Sequence, residues 1–162
     1  MARKSQAETL TREETELNAQ NLAQVLANTY VTYVKTQNFH WNLTDPRFHD
    51  LHKFFEALYQ ELAEAADELA ERIRMLKLPA PGSMRQFLQL ATLEESEERI
   101  SGDKMLLELY RDREEIIAQI DQKIEEAGRT GDMGTQDLFI QQLRMHQKSA
   151  WMLQSHLSRA DS

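Results

Sequence analysis

The chain has 162 residues, a formal net charge of -8, a pI near 5.2 and no cysteine, which excludes disulfides, thiolate metal sites and cysteine nucleophiles. The acidic balance excludes a basic nucleic-acid footprint over the whole chain, and would instead attract cations. No apolar run suits a signal peptide or a membrane span, so a cytoplasmic setting is the expectation.

Residues 1–8 read as a short flexible N-terminal tail and 9–162 as a single domain. Thr11, with Glu14 three residues later, forms a capping box that opens a first helix running to about Gln37. Leu22, Val25, Leu26, Tyr30, Tyr33 and Val34 mark its apolar face. His40 falls at or just past its end. Asp45 is placed to cap a second helix, with Pro46 in the first helical position. From Arg47 to about Met75 there is no Gly and no Pro. The segment from Leu78 to Ser83, with Pro79, Pro81 and Gly82, ends that helix and begins a long connection. Met84–Leu90 suggests a short helix within the connection, and Thr92 to Glu95 repeats a box-like pattern. A third long helix covers about Ser101 to Glu126, with Leu106, Leu109, Ile116, Ile117, Ile120 and Ile124 inward. Gly128 to Gly134 breaks the chain. Asp132 or Thr135 then caps a fourth, running to about Ser158, with Leu138, Phe139, Leu143, Ala150, Trp151 and Leu157 inward. No strand pattern or repeat occurs. The expected fold is all-α, a four-helix bundle with a short helix in the connection between the second and third helices.

Chemistry concentrates in one stretch. Three of the five histidines, His40, His49 and His52, lie there. On a helix turning about 100° per residue, His52, Glu56, Asp67 and Glu71 fall within one arc of roughly 100°. Ala63, Ala66 and Ala70 share the face and allow close approach of another helix. A solvated charged face is one reading of such a stripe. Against it stand the clustering of histidines, the alanines between the charges, and the single sign of the carboxylates, which repel unless cations sit among them. His52 and Asp67 are about 22 Å apart along the helix, too far to share one ion within a chain. The pairs His52–Glu71 and Glu56–Asp67 share a midpoint between residues 61 and 62. Two antiparallel copies about a two-fold axis there would join His52 and Glu56 of one to Asp67 and Glu71 of the other. Imidazole with carboxylates suits iron, manganese or zinc.

The chain resembles the Dps family, the miniferritins of the ferritin-like superfamily, over nearly its whole length. Phe39-His40-Trp41, the segment from Phe48 to His52, Glu56, and Asp67 with Ala70-Glu71-Arg72 carry the resemblance, supported by Trp151-Met152-Leu153. It implies His40, His52, Glu56, Asp67 and Glu71 as ferroxidase and metal ligands, two iron ions per intersubunit site, and a hollow shell of twelve subunits. The position of Glu56 is more often Asp in that family. The implied activity is oxidation of Fe(II), preferably by hydrogen peroxide, with storage of mineralised Fe(III) and protection from oxidative stress. Zinc or manganese are possible substitutes in the site. Larger ferritins use Glu-x-x-His motifs inside one bundle, and here Gln37, Pro46, His49, Leu143 and Leu153 stand three residues before the histidines.

Other residues keep two readings. Trp41 is a radical scavenger beside His40 or an interface aromatic. His49 is an extra ligand or a surface residue. His146 and His156 read as structural. Glu125, Glu126, Asp132 and Asp137 form an acidic three-fold pore or simply helix ends and caps. The alternative function is nucleoid-associated DNA binding, which the family's name implies. Arg3 and Lys4, and Arg159 at the other end, are few beside the acidic total, so phosphate contacts would be scarce. A purely structural bundle would leave the carboxylate stripe inert.

Overall fold

A computed structural model describes residues 10–157; the expected tail at 1–8 lies outside these residues. The helices are α1 (Arg12–Asn42), α2 (Phe48–Met75), α3 (Met84–Leu90), α4 (Gly102–Thr130) and α5 (Met133–Leu157), and no strand occurs among the described residues.

Ends of helices meet in a way that defines the topology. Asn18, early in α1, donates to Thr130 at the end of α4 at 2.9 Å. Arg47, just before α2, pairs with Asp103 at the start of α4 at 2.8 Å. So α4 begins at the end of the bundle where α1 finishes. The connection through α3 therefore travels the bundle's length, and α2 and α4 run in the same direction. α1 packs on α2, α3 and α4, and α5 on α4 and α2.

Two apolar clusters fill the interior. One joins Leu22, Leu26, Leu69, Ile73, Ile116, Ile120 and Phe139; the other joins Phe39, Leu51, Phe55, Leu106, Leu109 and Leu153. A polar belt lies between them. Lys35 binds Asp112 at 2.8 Å, and Arg113 donates to His146 Nδ1, also at 2.8 Å. Buried charge of this kind contributes little net stability but is costly to break.

Several expectations need correction. α1 continues five residues beyond Gln37, to Asn42, so His40 sits inside its last turn. Nothing before Pro46 obliges it to stop, and Asn42 Nδ2 donates back to the Asn38 carbonyl at 3.0 Å. Asp45 does not cap α2 directly. Its carboxylate takes the Arg47 N–H and Nε–H, both at 2.8 Å, closing a turn before the helix starts at Phe48. Thr92 starts no helix. Its hydroxyl accepts from Asn28 and Gln119 and donates to Glu115, so it is unavailable as a cap. Trp151 is 64% exposed rather than inward, and Leu153 fills the core instead. Val34 is exposed as well. The Thr11 and Ser83 capping boxes form, and Asp132, not Thr135, caps α5 by accepting the Thr135 N–H at 3.1 Å.

Candidate metal centre

The centre starts from a helix end. The last carbonyls of a helix lack intrahelical donors. The His40 carbonyl, in the last turn of α1, is taken by His52 Nδ1 at 2.8 Å. In return His40 Nδ1 donates to the His52 carbonyl at 2.7 Å. The two imidazoles stack, with centroids 3.7 Å apart and planes inclined by 14°. The turn at residues 43–47 makes this possible by laying the start of α2 beside the end of α1.

A carbonyl only accepts, so both Nδ1 atoms carry the proton. Both Nε2 atoms of the neutral rings are then left as lone-pair donors. This is the arrangement in which a backbone carbonyl fixes the tautomer of a metal-binding histidine. His40 is buried and His52 half-buried. Glu56, half-buried, lies one turn beyond His52. The two imidazoles and the Glu56 carboxylate are thus the candidate nitrogen and oxygen donors at this end of α2.

Asp67 and Glu71 are exposed farther along α2 and are not brought to the histidines. Among the described residues no group of three or more His, Asp or Glu converges within the chain to hold a metal ion. The two pairs of the stripe, His52 with Glu56 and Asp67 with Glu71, therefore stay apart within the chain. Beside the second, a groove of about 260 Å³ is lined by Tyr30, Ala63, Ala66, Asp67, Ala70 and Phe87, among others. Behind Glu71, Arg72 reaches away from the stripe. It donates to Asp132 at 2.7 Å and to Thr135 at 3.0 Å, fastening α2 to the turn between α4 and α5. Gly134 leaves room for this side chain, since a Cβ there would lie 2.7 Å from the Arg72 guanidinium and the guanidinium would have to shift.

Aromatic rings continue from the histidine pair. Phe48 stacks on His52 at 4.9 Å, and Tyr59 meets His40 edge-on at 5.2 Å. Tyr59 was not among the residues singled out from the sequence. Its position seven after His52, two helical turns, was the available signal. Trp41 is 67% exposed and His49 is exposed, outside the stacked pair. His156 stacks on Phe54 and bonds the Met152 carbonyl, a structural role. His146 is fully buried against Arg113; burial, and then the adjacent guanidinium, hold its pKa well below the usual histidine range. Of the acidic group at the α4–α5 turn, Asp132 is buried in its ion pair and Glu126 accepts from Asn21, while Glu125 and Asp137 are exposed.

The chain matches the ferritin-like domain family over residues 19–162. It is 38% identical to a low temperature-induced protein of Nostoc sp., over 84% of this chain and 77% of that protein. It is 31% identical to DNA protection during starvation protein 2 of Bacillus anthracis, over 83% and 92%. Among solved structures, the Dps protein of Vibrio cholerae O1, described as a ferritin-like diiron-carboxylate protein, superposes with a TM-score of 0.89. That match has 32% identity and covers 97% of this chain and 99% of the other.

Proposed function

The chain belongs to the Dps family of ferritin-like proteins, and on that premise we propose that it is a ferroxidase and iron-storage protein whose catalytic sites are shared between subunits. His40, His52 and Glu56 of one copy, with Asp67 and Glu71 of a second, bind two Fe(II) ions as substrate. The two copies pack antiparallel through the alanine face of α2, and sites of this kind repeat in a closed shell, a dodecamer in our reading. No helix of the described residues is long and apolar enough to cross a membrane. We place the shell in the cytoplasm.

The observation that carries the reading is the reciprocal bond between His40 and His52, which leaves both Nε2 atoms as lone-pair donors, with Glu56 one helical turn on from His52. Pre-oriented ligands pay little entropy on binding, and the carboxylates favour the more highly charged Fe(III) over Fe(II). With two Fe(II) in place, hydrogen peroxide accepts one electron from each, takes up two protons and leaves as two waters. No hydroxyl radical is released, and the Fe(III) hydrolyses and mineralises in the cavity. Zinc or manganese, which accept the same donor types, would compete for the site.

The test is the rate of Fe(II) oxidation when peroxide is added anaerobically to metal-free protein, beside the His52→Ala, Asp67→Asn double variant. Fast oxidation in the native protein, lost in a variant of unchanged assembly, is expected. Equal rates would move the chemistry elsewhere. A second reading, DNA compaction, is favoured by the starvation-protein relatives, and disfavoured by the net charge of -8.

A further inference from the structure

Beyond Tyr59 the rings do not stop. Tyr59 meets Tyr33 edge-on at 6.0 Å, and Tyr33 meets Tyr30 at 5.8 Å. Tyr30 stacks on Phe87 at 4.3 Å with planes 12° apart. Tyr30 and Phe87 also line the groove that contains Asp67. A row of three phenols therefore joins the histidine half-site of the chain to its carboxylate half-site. Three oxidisable side chains in consecutive ring contact are more than packing of a helix pair requires, since Phe or Leu would fill the same space without a hydroxyl to accommodate.

We propose that Tyr59, Tyr33 and Tyr30 form a one-electron relay between the two half-sites, supplying the second electron to peroxide when only one iron is bound. The proposal rests on the shared-ferroxidase reading above. Peroxide needs two electrons to reach water. A lone Fe(II) gives one, and the other half of the molecule would leave as hydroxyl radical. Tyr59, in edge contact with His40, gives the missing electron. The balance is H2O2 + Fe(II) + Tyr-OH + H+ → Fe(III) + Tyr-O• + 2 H2O, with the phenolic proton and one from solvent completing the waters. The radical then moves by exchange: Tyr59 regains an electron and a proton as Tyr33 loses them, and Tyr30 follows. The Tyr33 hydroxyl accepts from Gln37 Nε2 at 3.0 Å, which holds its oxygen in place. At the groove beside Asp67, an Fe(II) bound to the second shared site re-reduces Tyr30 and itself becomes Fe(III). Two sites of a dimer would then act as one two-electron donor even when each holds a single iron. Trp41, next to His40 in sequence, is 67% exposed and makes no ring contact with either imidazole, so it does not replace Tyr59 in the row.

The experiment loads the assembled native protein anaerobically with one Fe(II) per dimer, so that the second shared site is empty and cannot re-reduce Tyr30, adds peroxide, freezes the sample and records its electron paramagnetic resonance spectrum. A tyrosyl signal is expected, together with little spin-trapped hydroxyl radical. Tyr59→Phe keeps the ring and its packing; it is expected to lose the signal and release hydroxyl radical, while oxidising iron normally when two Fe(II) fill each site. In Tyr33→Phe the signal is expected to form but to decay more slowly, because the hole has no next phenol. If the native protein oxidises iron without a tyrosyl signal, or Tyr59→Phe leaves the signal and the hydroxyl yield unchanged, the relay is wrong. If native protein oxidises iron no faster than the His52→Ala, Asp67→Asn variant, the ferroxidase reading fails first, and the relay fails with it.

Discussion

His40 and His52 each give their Nδ1 proton to the other's backbone carbonyl, at 2.7 and 2.8 Å. Neither ring can rotate without breaking a bond to a different helix. The exchange ties the end of α1 to the start of α2, and at about 1 kcal/mol net per hydrogen bond it contributes roughly 2 kcal/mol to that junction. It also decides which nitrogen of each ring faces outward. The orientation of both imidazoles is therefore set by the fold itself.

Because the second half-site lies about 22 Å along α2, single lesions should complement. His52→Ala and Asp67→Asn, purified separately, are each expected to lose peroxide-driven Fe(II) oxidation by about 100-fold. In a mixed dimer one shared site carries both lesions and the other carries neither, so about half of native activity should return. Co-expression with two affinity tags isolates the mixed species. Mixed dimers as inactive as the parents would mean that the site is not divided between copies.

Acid should loosen the bundle through His146. Its Nδ1 accepts from Arg113 on α4, and Glu61 of α2 and Asp112 of α4 are the charged groups that offset the guanidinium. Burial pushes Arg113 itself down to about 10. A protonated imidazole would lose the bond and set a second cation against the first. His146 has a lowered pKa in the folded state, so the unfolded chain binds more protons as pH falls below about 6.5, and stability falls with it. His146→Gln keeps an acceptor but does not titrate. Urea unfolding at pH 7.5, 6.5 and 5.5 should show native stability dropping relative to the variant by up to about 1.4 kcal/mol per pH unit below 6.5. A constant difference across the three would exclude His146 as the cause.

Asp132 and Asp137 look alike in sequence and should behave differently. Asp132 is fully buried, pairs with Arg72 and caps α5; Asp137 is exposed and takes a bond from Gln141 one turn on. Asp132→Ala leaves a partly buried guanidinium without its partner and removes the cap, a loss of about 3 kcal/mol. Asp137→Ala should cost under about 0.5 kcal/mol. Chemical denaturation of the two variants compares them directly. Similar losses would contradict the buried pair.

Electrophoretic mobility of duplex DNA should not change with the protein at physiological salt. Non-specific affinity comes chiefly from phosphate neutralisation, and each subunit carries 27 acidic residues against 19 Lys and Arg. A complex that persists as salt is raised would favour the compaction reading.

Helix number, the long connection with its short helix, the Thr11 cap and the stripe on α2 were all legible in the sequence, because a period of 3.6 residues and local caps depend only on neighbours along the chain. So was the distance that forbids His52 and Asp67 from sharing an ion within one subunit. Tertiary structure alone decided the rest. α1 reaches Asn42 because its last carbonyls find partners in side chains, one of them on α2. Thr92 gives up capping because Asn28 and Gln119 claim its hydroxyl. Trp151 turns outward because Leu153 and Ala150 occupy the inward face of α5. The histidine exchange and the tyrosine row join residues on different helices, whose partners are set by how the helices pack rather than by spacing along the chain.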